Sequence, residues 1–179
     1  HIKYEEKLQV IDTMEDYFLS RFVSLTKYLA QSTLDSTLHQ YVKLYVKQMA
    51  EKTIPCTHAF YLKYYHILLS REVIKPKEVE VVFLDECGDL NEVTLEIFKL
   101  LPAKKKVMVG DLFQNIYQFN NTINGFKAME GQGELCKLTQ SFRVPVKLAE
   151  KVQTFGRQYL DNTMVFRGTD IESDDESEA

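Results

Sequence analysis

The sequence contains no tryptophan and has little glycine, proline or cysteine. Its 179 residues include only 7 Gly, 4 Pro and 3 Cys. Cys56, Cys87 and Cys136 are odd in number, far apart and without Cys-x-x-Cys spacing, which argues against a disulfide framework and a zinc site. No run approaches the roughly 18 apolar residues that cross a bilayer, and no signal pattern opens the chain. We therefore expect a protein with no membrane contact that is cytoplasmic or, in a eukaryote, nuclear.

The composition fits a globular chain with a real core. Hydrophobic residues make up 45% of it and aromatic residues 12%, which suits one domain, or one domain and a piece of another. The net charge of −4 arises at the C-terminus, because six of the 26 acidic residues lie in the last ten positions. The chain begins with His1 rather than Met, which predicts a fragment or a processed chain.

The first third of the sequence is expected to be helical. Residues 1 to 53 contain no Gly or Pro, and their apolar residues recur every three or four positions, which predicts two amphipathic helices joined near 32–36. A third helix is predicted at 59–70, apolar around nearly its whole circumference and therefore buried against a sheet. The N-caps expected for these helices are Asp12, Ser36 and Thr57.

The middle of the sequence predicts a strand, a helix and a second strand. The apolar run 79–84 ends in acids and reads as a buried parallel strand, and a short helix is expected at 92–101. The run 107–109 follows three lysines, 104–106, expected as a solvated turn. This order indicates a βαβ unit and a parallel sheet. Further on, we expect a strand at 135–139, a helix at 146–159 and disorder from Arg167.

Acidic residues follow both predicted strands. Asp85 and Glu86 end the first strand and Asp111 follows the second, so the three would meet at one edge of the sheet. One acid there could hold Mg²⁺ while its neighbour orients and deprotonates a water molecule, as a nucleotide triphosphatase requires. Acids at strand ends are also common helix caps, and Asp89 could cap the helix that begins near Asn91.

Two longer sequence motifs follow the acids along the chain. Gly110 to Phe119 reads Gly-Asp-Leu-Phe-Gln-Asn-Ile-Tyr-Gln-Phe, and Leu138 to Arg143 reads Leu-Thr-Gln-Ser-Phe-Arg. Together with Asp-Glu-Cys-Gly-Asp at 85–89, an Asp-Glu-x-x-Asp form of the Walker B motif, they resemble the UvrD/Rep-like superfamily 1 DNA helicases. The segment Thr57 to Lys63 is similar to one found in the branch that includes the F-box DNA helicases. The resemblance covers about residues 10 to 160.

The resemblance implies an α/β fold and a division of the chain. The fold would be a partial RecA-like P-loop NTPase domain, a parallel sheet with flanking helices, with a helical insertion on its N-terminal side. The expected parts are a helical insertion subdomain at 1–55, a partial motor domain at 56–143, the start of a second motor domain or a packing helix at 144–166, and a disordered acidic tail at 167–179.

The resemblance also implies roles for residues that contact ATP. Asp85 would bind Mg²⁺, and Glu86 would act as general base. Gln114 would report on the γ-phosphate or its water, because an amide both donates and accepts hydrogen bonds. Arg143 would stabilise charge on the transferred phosphoryl group. The alternative for Arg143 is a structural pair with a nearby acid.

Other residues are candidates for contact with DNA. Tyr117 and Phe119 would offer rings on which bases stack, unless they are ordinary core residues. His58 and Lys63 are further candidates, with a helix cap or a core residue as the alternative for His58. After Phe119 the chain has Asn120-Asn121-Thr122 where the family usually has Arg-Gly-Ala, so one basic DNA contact is absent.

The sequence departs from the family in two respects. It holds no Gly-x-x-x-x-Gly-Lys-Ser/Thr loop, and it also lacks the motifs of a second motor domain. We therefore expect part of an ATP-dependent DNA helicase that uses ATP and Mg²⁺ and moves along single-stranded DNA, with the missing segments or a partner helicase chain completing it. The alternatives are a non-catalytic module that binds single-stranded DNA or a partner helicase, and an unrelated α/β phosphatase-like domain.

Overall fold

The structure is a computed structural model that describes residues 2–111 and 122–170. The chain divides into two units, His1–Gln132 and Gly133–Ala179. In both, helices are combined with short strands, so the predicted α/β class is confirmed at this level. Within the described residues, no helix is both long enough and apolar enough to cross a membrane.

The first unit contains six helices and four strands among its described residues. Its helices are α1 (Tyr4–Leu19), α2 (Leu25–Leu29), α3 (His39–Ala50), α4 (His58–Ser70), α5 (Glu92–Leu100) and α6 (Gly125–Ala128), with a 3₁₀ turn at Ser36–Leu38. Its strands are β1 (Val79–Leu84), β2 (Leu90–Asn91), β3 (Ala103–Met108) and β4 (Thr122–Ile123).

Helices α1, α3 and α4 build one core. The apolar spacing predicted the helices, but the first of the two expected before 53 is divided into α1 and α2. The expectation that the helix at 59–70 lies against the sheet is wrong, because α4 packs against α1 and α5. The core is made by residues on the inward faces of these helices and their connections, among them Val10, Tyr17, Phe18, Val42 and Phe60. The expected caps were right only in part. Thr57 does cap α4, because its hydroxyl accepts the Phe60 N–H at 3.2 Å.

The caps predicted at Asp12 and Ser36 are wrong. Asp12 lies inside α1, which begins eight residues earlier at Tyr4. The 3₁₀ turn at Ser36–Leu38 is capped by Asp35, whose carboxylate accepts the Thr37 N–H at 2.8 Å. A carboxylate reaches the second N–H beyond it as readily as a hydroxyl does, so adjacent Asp and Ser compete for the same capping position.

Lys63 connects the end of α1 to α4 from inside the core. Only 1% of the residue is exposed. Its ammonium donates hydrogen bonds to the carbonyl oxygens of Ser20 and, at 3.0 Å, of Phe22, and it lies 4.7 Å from the centre of the Tyr17 ring. Burial lowers the pKa of Lys63 to about 8, while the nearby Glu92 carboxylate acts in the opposite direction. A charged side chain thus satisfies carbonyls that the end of α1 leaves unpaired.

Strands β1 and β3 form the predicted parallel pair. Val79 lies opposite Ala103 and Leu84 opposite Met108. The predicted strand at 79–84 is confirmed, and the second strand starts earlier than expected. The lysines 104–106 belong to β3 rather than to a turn, and the Lys104 ammonium lies 2.6 Å from the Glu80 carboxylate across the pair.

The expectation that β1 is buried is wrong in this structure. One side of the strand, with Val82 and Leu84, packs into a core formed with Leu95 and Phe98 of α5. The other side is exposed, with Val79, Val81 and Phe83 at 45%, 38% and 69% exposure. The apolar run therefore predicted the strand correctly, but the strand is buried on only one side.

Helix α5 joins the two strands and starts at an asparagine cap. The Asn91 side chain accepts hydrogen bonds from the N–H of Thr94 at 2.9 Å and from its hydroxyl at 2.7 Å. The alternative role for Asp89 as this cap is therefore wrong. One carboxylate oxygen of Asp89 is instead buried, and it has no hydrogen-bond partner within the described part of the chain. The helix buries Val93, Leu95, Ile97 and Phe98.

The second unit contains β5 (Gln140–Pro145), α7 (Val146–Tyr159) and β6 (Arg167–Thr169). The predicted helix at 146–159 is confirmed. The strand expected at 135–139 is wrong, since the strand begins at Gln140. Residues 167–169 were expected to be disordered, yet they form β6, which pairs in parallel with β5. Residues 171–179 of the expected tail lie outside the described residues, and the predicted division of the chain into four parts stays a prediction.

Replacing Lys63 by methionine tests its role in the core. Lys63→Met keeps most of the volume but leaves the Ser20 and Phe22 carbonyls without their donor, so the free energy of unfolding should fall by about 1–3 kcal/mol. Urea denaturation followed by circular dichroism measures this change. The matched control is Lys43→Met at an exposed position of α3, where little change is expected. Equal stability of both variants would contradict the assignment.

Candidate functional site

The acid-bearing loops after β1 and β3 run side by side. The Val109 N–H donates to the Leu84 carbonyl oxygen at 2.8 Å, and the Cys87 N–H donates to the Val109 carbonyl oxygen at 2.9 Å. Strand-like pairing therefore continues beyond both strands. It brings the loop that carries Asp85 and Glu86 against the backbone that leads into Asp111, as the sequence predicted for one edge of a parallel sheet.

Two glycines allow the loops to approach this closely. A Cβ atom on Gly110 would lie 2.6 Å from the Cys87 nitrogen, and one on Gly88 would overlap the carbonyl oxygen of Asp111. Any larger residue at either position would push the loops apart. Glycine at positions 88 and 110 is thus required by the backbone packing, independently of any chemistry of the neighbouring acids.

Glu86 has an unusual backbone. Its φ is +55°, in the left-handed region that residues other than glycine, asparagine and aspartate rarely adopt. The residue is exposed, and its N–H donates to the Asp85 carboxylate at 2.9 Å. This turn directs two neighbouring acids away from the strand at the point where the parallel pair ends. Lys52 and Glu72 have the same left-handed backbone, with φ of 61° and 54°, just beyond the ends of α3 and α4, so the φ of Glu86 does not by itself mark a functional site.

Asp85 fits a role as a magnesium ligand. Proteins bind Mg²⁺ through one or two carboxylates, with nucleotide phosphates and water completing the octahedron. The Asp85 carboxylate is exposed at the strand end and suits that mode. Among residues 2–111 and 122–170, no group of three or more His, Cys, Asp or Glu side chains is placed to hold a metal ion on its own.

Cys87 supports the loop from beneath. The residue is fully buried, and its thiol donates to the Leu84 carbonyl oxygen at 2.9 Å. Its own carbonyl accepts the Gly125 N–H at 2.8 Å, which fixes the start of α6 against the loop. Burial raises the pKa of the Cys87 thiol, so it remains protonated at neutral pH and acts as a structural group.

The remaining predicted site residues lie in other parts of the chain. Gln114, Tyr117 and Phe119 lie outside the described residues. Arg143 is on β5 of the second unit, where its side chain is exposed and its N–H donates to the Ser141 hydroxyl at 3.3 Å. No ion pair of Arg143 is found within the described residues, and its role at a phosphoryl group stays a prediction.

The two further candidates for DNA contact differ from each other. His58 is exposed at the first turn of α4, with its ring centre 6.3 Å from that of Tyr61. It is neither the cap, which is Thr57, nor a core residue, so contact with DNA stays a prediction for it. The contact predicted for Lys63 is wrong in this structure, because the side chain is buried and bonded to Ser20 and Phe22.

Sequence reasoning missed one surface. Helix α4 was expected to be buried nearly all round, yet Tyr61, Tyr64 and Tyr65 are exposed. A signal for this surface was present, because residues 52–71 contain no Asp or Glu while holding three tyrosines. Apolar periodicity alone counts tyrosine as core, although its hydroxyl allows it to lie at a surface.

Taken together, these features define an α/β protein with a candidate acidic site beyond the carboxyl ends of two parallel strands. The model of the UvrD/REP helicase N-terminal domain matches residues 2–130, and the chain belongs to this family. The matched range includes Asp85, Glu86 and Asp111 and ends before Arg143. Comparisons with curated proteins and with solved structures gave no match. The resemblance to UvrD/Rep-like helicases is therefore confirmed, and the F-box branch stays a prediction.

The left-handed backbone at Glu86 predicts an order of stability among variants. Glu86→Gly should be more stable than Glu86→Ala by about 1 kcal/mol, because only glycine adopts this φ without strain. Urea denaturation of the two variants measures the difference. At the exposed Glu78, whose φ is not positive, the order should reverse, since glycine there only adds freedom to the unfolded chain. The same order at both positions would contradict the prediction.

The close approach of the loops predicts that Gly88→Ala is destabilising. The added methyl group would overlap the Asp111 carbonyl oxygen, and overpacking of this kind costs about 1–3 kcal/mol. Gly133→Ala is the control, because nothing lies within 4 Å of a Cβ atom there. Thermal unfolding of both variants should show a lower transition temperature for Gly88→Ala only.

Proposed function

We propose that this chain is part of an ATP-dependent DNA helicase that couples ATP hydrolysis to movement along single-stranded DNA and to duplex unwinding. The observation that carries the proposal is the meeting of Asp85 and Glu86 with the backbone before Asp111, at the ends of two parallel strands in a chain of the UvrD/REP family. In this proposal the β1–α5–β3 unit is part of a RecA-like motor domain, and the cofactors are ATP and Mg²⁺.

The neighbouring residues Asp85 and Glu86 would have different roles in ATP hydrolysis. Asp85 would hold Mg²⁺, which when bound neutralises charge on the nucleotide phosphates. Glu86 would accept the proton of the attacking water, and its position one residue beyond Asp85 on an exposed turn suits that task. Gln114 and Arg143 would sense and stabilise the γ-phosphate, as the family resemblance implies.

DNA contact is assigned to other residues. Tyr117 and Phe119 would stack on bases, and the exposed His58 at the start of α4 would add a contact. Lys63 is not part of the proposal. The expected partners are single-stranded DNA and either further helicase segments or a partner helicase chain.

A second candidate function is a helicase-derived module that binds single-stranded DNA or a partner helicase without catalysis. The observation that favours it is the lack of a Gly-x-x-x-x-Gly-Lys-Ser/Thr loop in the 179 residues. Both candidates require DNA or helicase contact, and they differ in whether the protein turns over ATP.

An ATPase assay separates the two candidates. In the natural protein that contains this chain, we expect Mg²⁺-dependent ATP turnover that single-stranded DNA stimulates, and a kcat at least about 100-fold lower in Glu86→Gln. The 179 residues alone should not turn over ATP. Glu78→Gln, which alters an exposed acid before β1, is the matched control and should keep its rate.

The possible outcomes lead to distinct conclusions. DNA binding without any turnover in the natural protein would favour the non-catalytic module. Turnover that is unchanged in Glu86→Gln would refute the role of the general base. Turnover by the 179 residues alone, abolished in Glu86→Gln, would show that they form a complete motor.

A further inference from the structure

Two basic side chains are buried one turn apart on the inner side of α4. Lys63 is 1% exposed and His66 is 2% exposed, and residues three positions apart lie on the same side of a helix. Lys63 is bonded to carbonyl oxygens that follow α1. Leu69, one turn beyond His66, shares a core with residues of α5. His66 therefore lies in the region where α4 meets α1 and α5, which we call the α4 junction.

Lys63 and His66 differ in the hydrogen bonds available to them. The Lys63 ammonium donates to the Ser20 and Phe22 carbonyl oxygens, so its charge has acceptors. The Nδ1 atom of His66 is buried and has no hydrogen-bond partner in residues 2–111 and 122–170. Both ring nitrogens of an imidazolium carry a proton, so protonated His66 would hold a buried donor without an acceptor there. Such a group is costly to bury.

Charged groups on α4 and α5 act on His66 in opposite directions. Burial lowers the pKa of His66, and the Lys63 ammonium lowers it further. The Glu96 carboxylate of α5 raises it, but this acid is shared with Lys99, whose ammonium lies 2.9 Å away. Glu96 therefore offsets only part of the effect, and the neutral imidazole remains favoured.

Lys63 and Tyr17 keep their charge states in weakly acidic solution. Burial lowers the pKa of Lys63 to about 8 against the opposing effect of Glu92 on α5, so Lys63 stays charged. Burial raises the pKa of Tyr17 on α1 to about 12, although the Arg71 guanidinium lowers it, so Tyr17 stays neutral. Of these two side chains and His66, only His66 changes its charge as the pH falls below neutrality.

We propose that His66 is a proton-controlled switch, which closes the α4 junction when the imidazole is neutral and loosens it when the imidazole is protonated. Protonation would add a second positive charge one turn from the Lys63 ammonium, with no acceptor for Nδ1 among the described residues. Loosening would act on α5, which begins at Glu92, directly after the loop that carries Asp85 and Glu86. The inference goes beyond the proposed function and does not depend on it.

The lowered pKa of His66 determines the direction of the pH dependence. A histidine in the unfolded chain takes up its proton at about pH 6.5, before the buried His66 does, so the unfolded state binds more protons as the pH falls. The stability that neutral His66 contributes is thus fully present above about pH 6.5 and is lost on acidification through its lower pKa.

Replacing His66 by glutamine tests this direction in the full chain. Between about pH 7.5 and 5, the unfolding equilibrium constant of the natural chain should rise by at least about threefold more than that of His66→Gln, because glutamine takes up no proton. Urea denaturation at a series of pH values measures both constants. His58→Gln, at an exposed position, is the matched control and should keep the pH dependence of the natural chain.

Removing the neighbouring charge tests the same pair from the other side. Lys63→Met should raise the pKa of His66 and reduce the extra pH dependence, because the ammonium that opposes protonation is gone. The comparison uses the change with pH, since Lys63→Met also loses hydrogen bonds and is less stable at every pH. The exposed Lys43→Met on α3 should keep the natural pH dependence.

Nuclear magnetic resonance follows the switch in the folded chain. The ring signal of His66, assigned through its own backbone amide, should titrate below the ordinary value of about 6.5. The amide signals of Val93 and Ile97, which pack in α5 beside Leu69, should shift with the same midpoint.

Three results would overturn the inference. They are a His66 ring that titrates at or above about pH 6.5, a His66 titration without any shift in α5, and an equal pH dependence in the natural chain and His66→Gln. If His66→Gln does not fold, the ring titrations of the natural chain and Lys63→Met decide, and an unchanged midpoint in Lys63→Met would count against the pair. None of these measurements involves ATP or DNA, so the helicase proposal is tested separately.

Discussion

The direct backbone contact between the loops after β1 and β3 is the constraint on which the candidate site depends. No side chain separates the loops at Gly88 and Gly110, and the bond from Cys87 to Val109 extends the parallel pairing beyond the strands. Because of this contact, acids that are distant in sequence emerge at one place. The sheet supplies the alignment, and the glycines allow the last few ångströms of approach.

The helical part of the first unit is joined to the same region through α5. Glu92, the first residue of α5, accepts the Arg21 N–H at 2.9 Å, and Lys63 holds the adjoining Ser20 and Phe22 carbonyls. The connection after α1 is therefore held from two sides, by α4 and by the helix that follows the acidic loop. Burying the lysine is tolerable only because its charge is used by several acceptors at once.

Local patterns predicted the elements well, and tertiary context explains the misses. The spans of β1 and α7 and the cap at Thr57 followed from apolar runs, spacing and capping chemistry. The burial of Lys63 could not be predicted, because it depends on carbonyls 41 and 43 residues away in sequence. The left-handed turn at Glu86 has no signal in residue type, since glutamate does not favour it. The acids of the candidate site could be predicted, because the ends of the two strands can be recognised from their apolar runs.

At position 86, backbone stability favours one kind of residue and the proposed chemistry favours another. Its φ of +55° suits glycine or asparagine, so chance substitutions by those residues would relax the backbone while removing the carboxylate. A position of this kind drifts toward the relaxed residue once its side chain is no longer needed. Glutamate at position 86 therefore keeps its carboxylate at a cost in backbone energy, which makes position 86 an informative place to compare relatives of this chain.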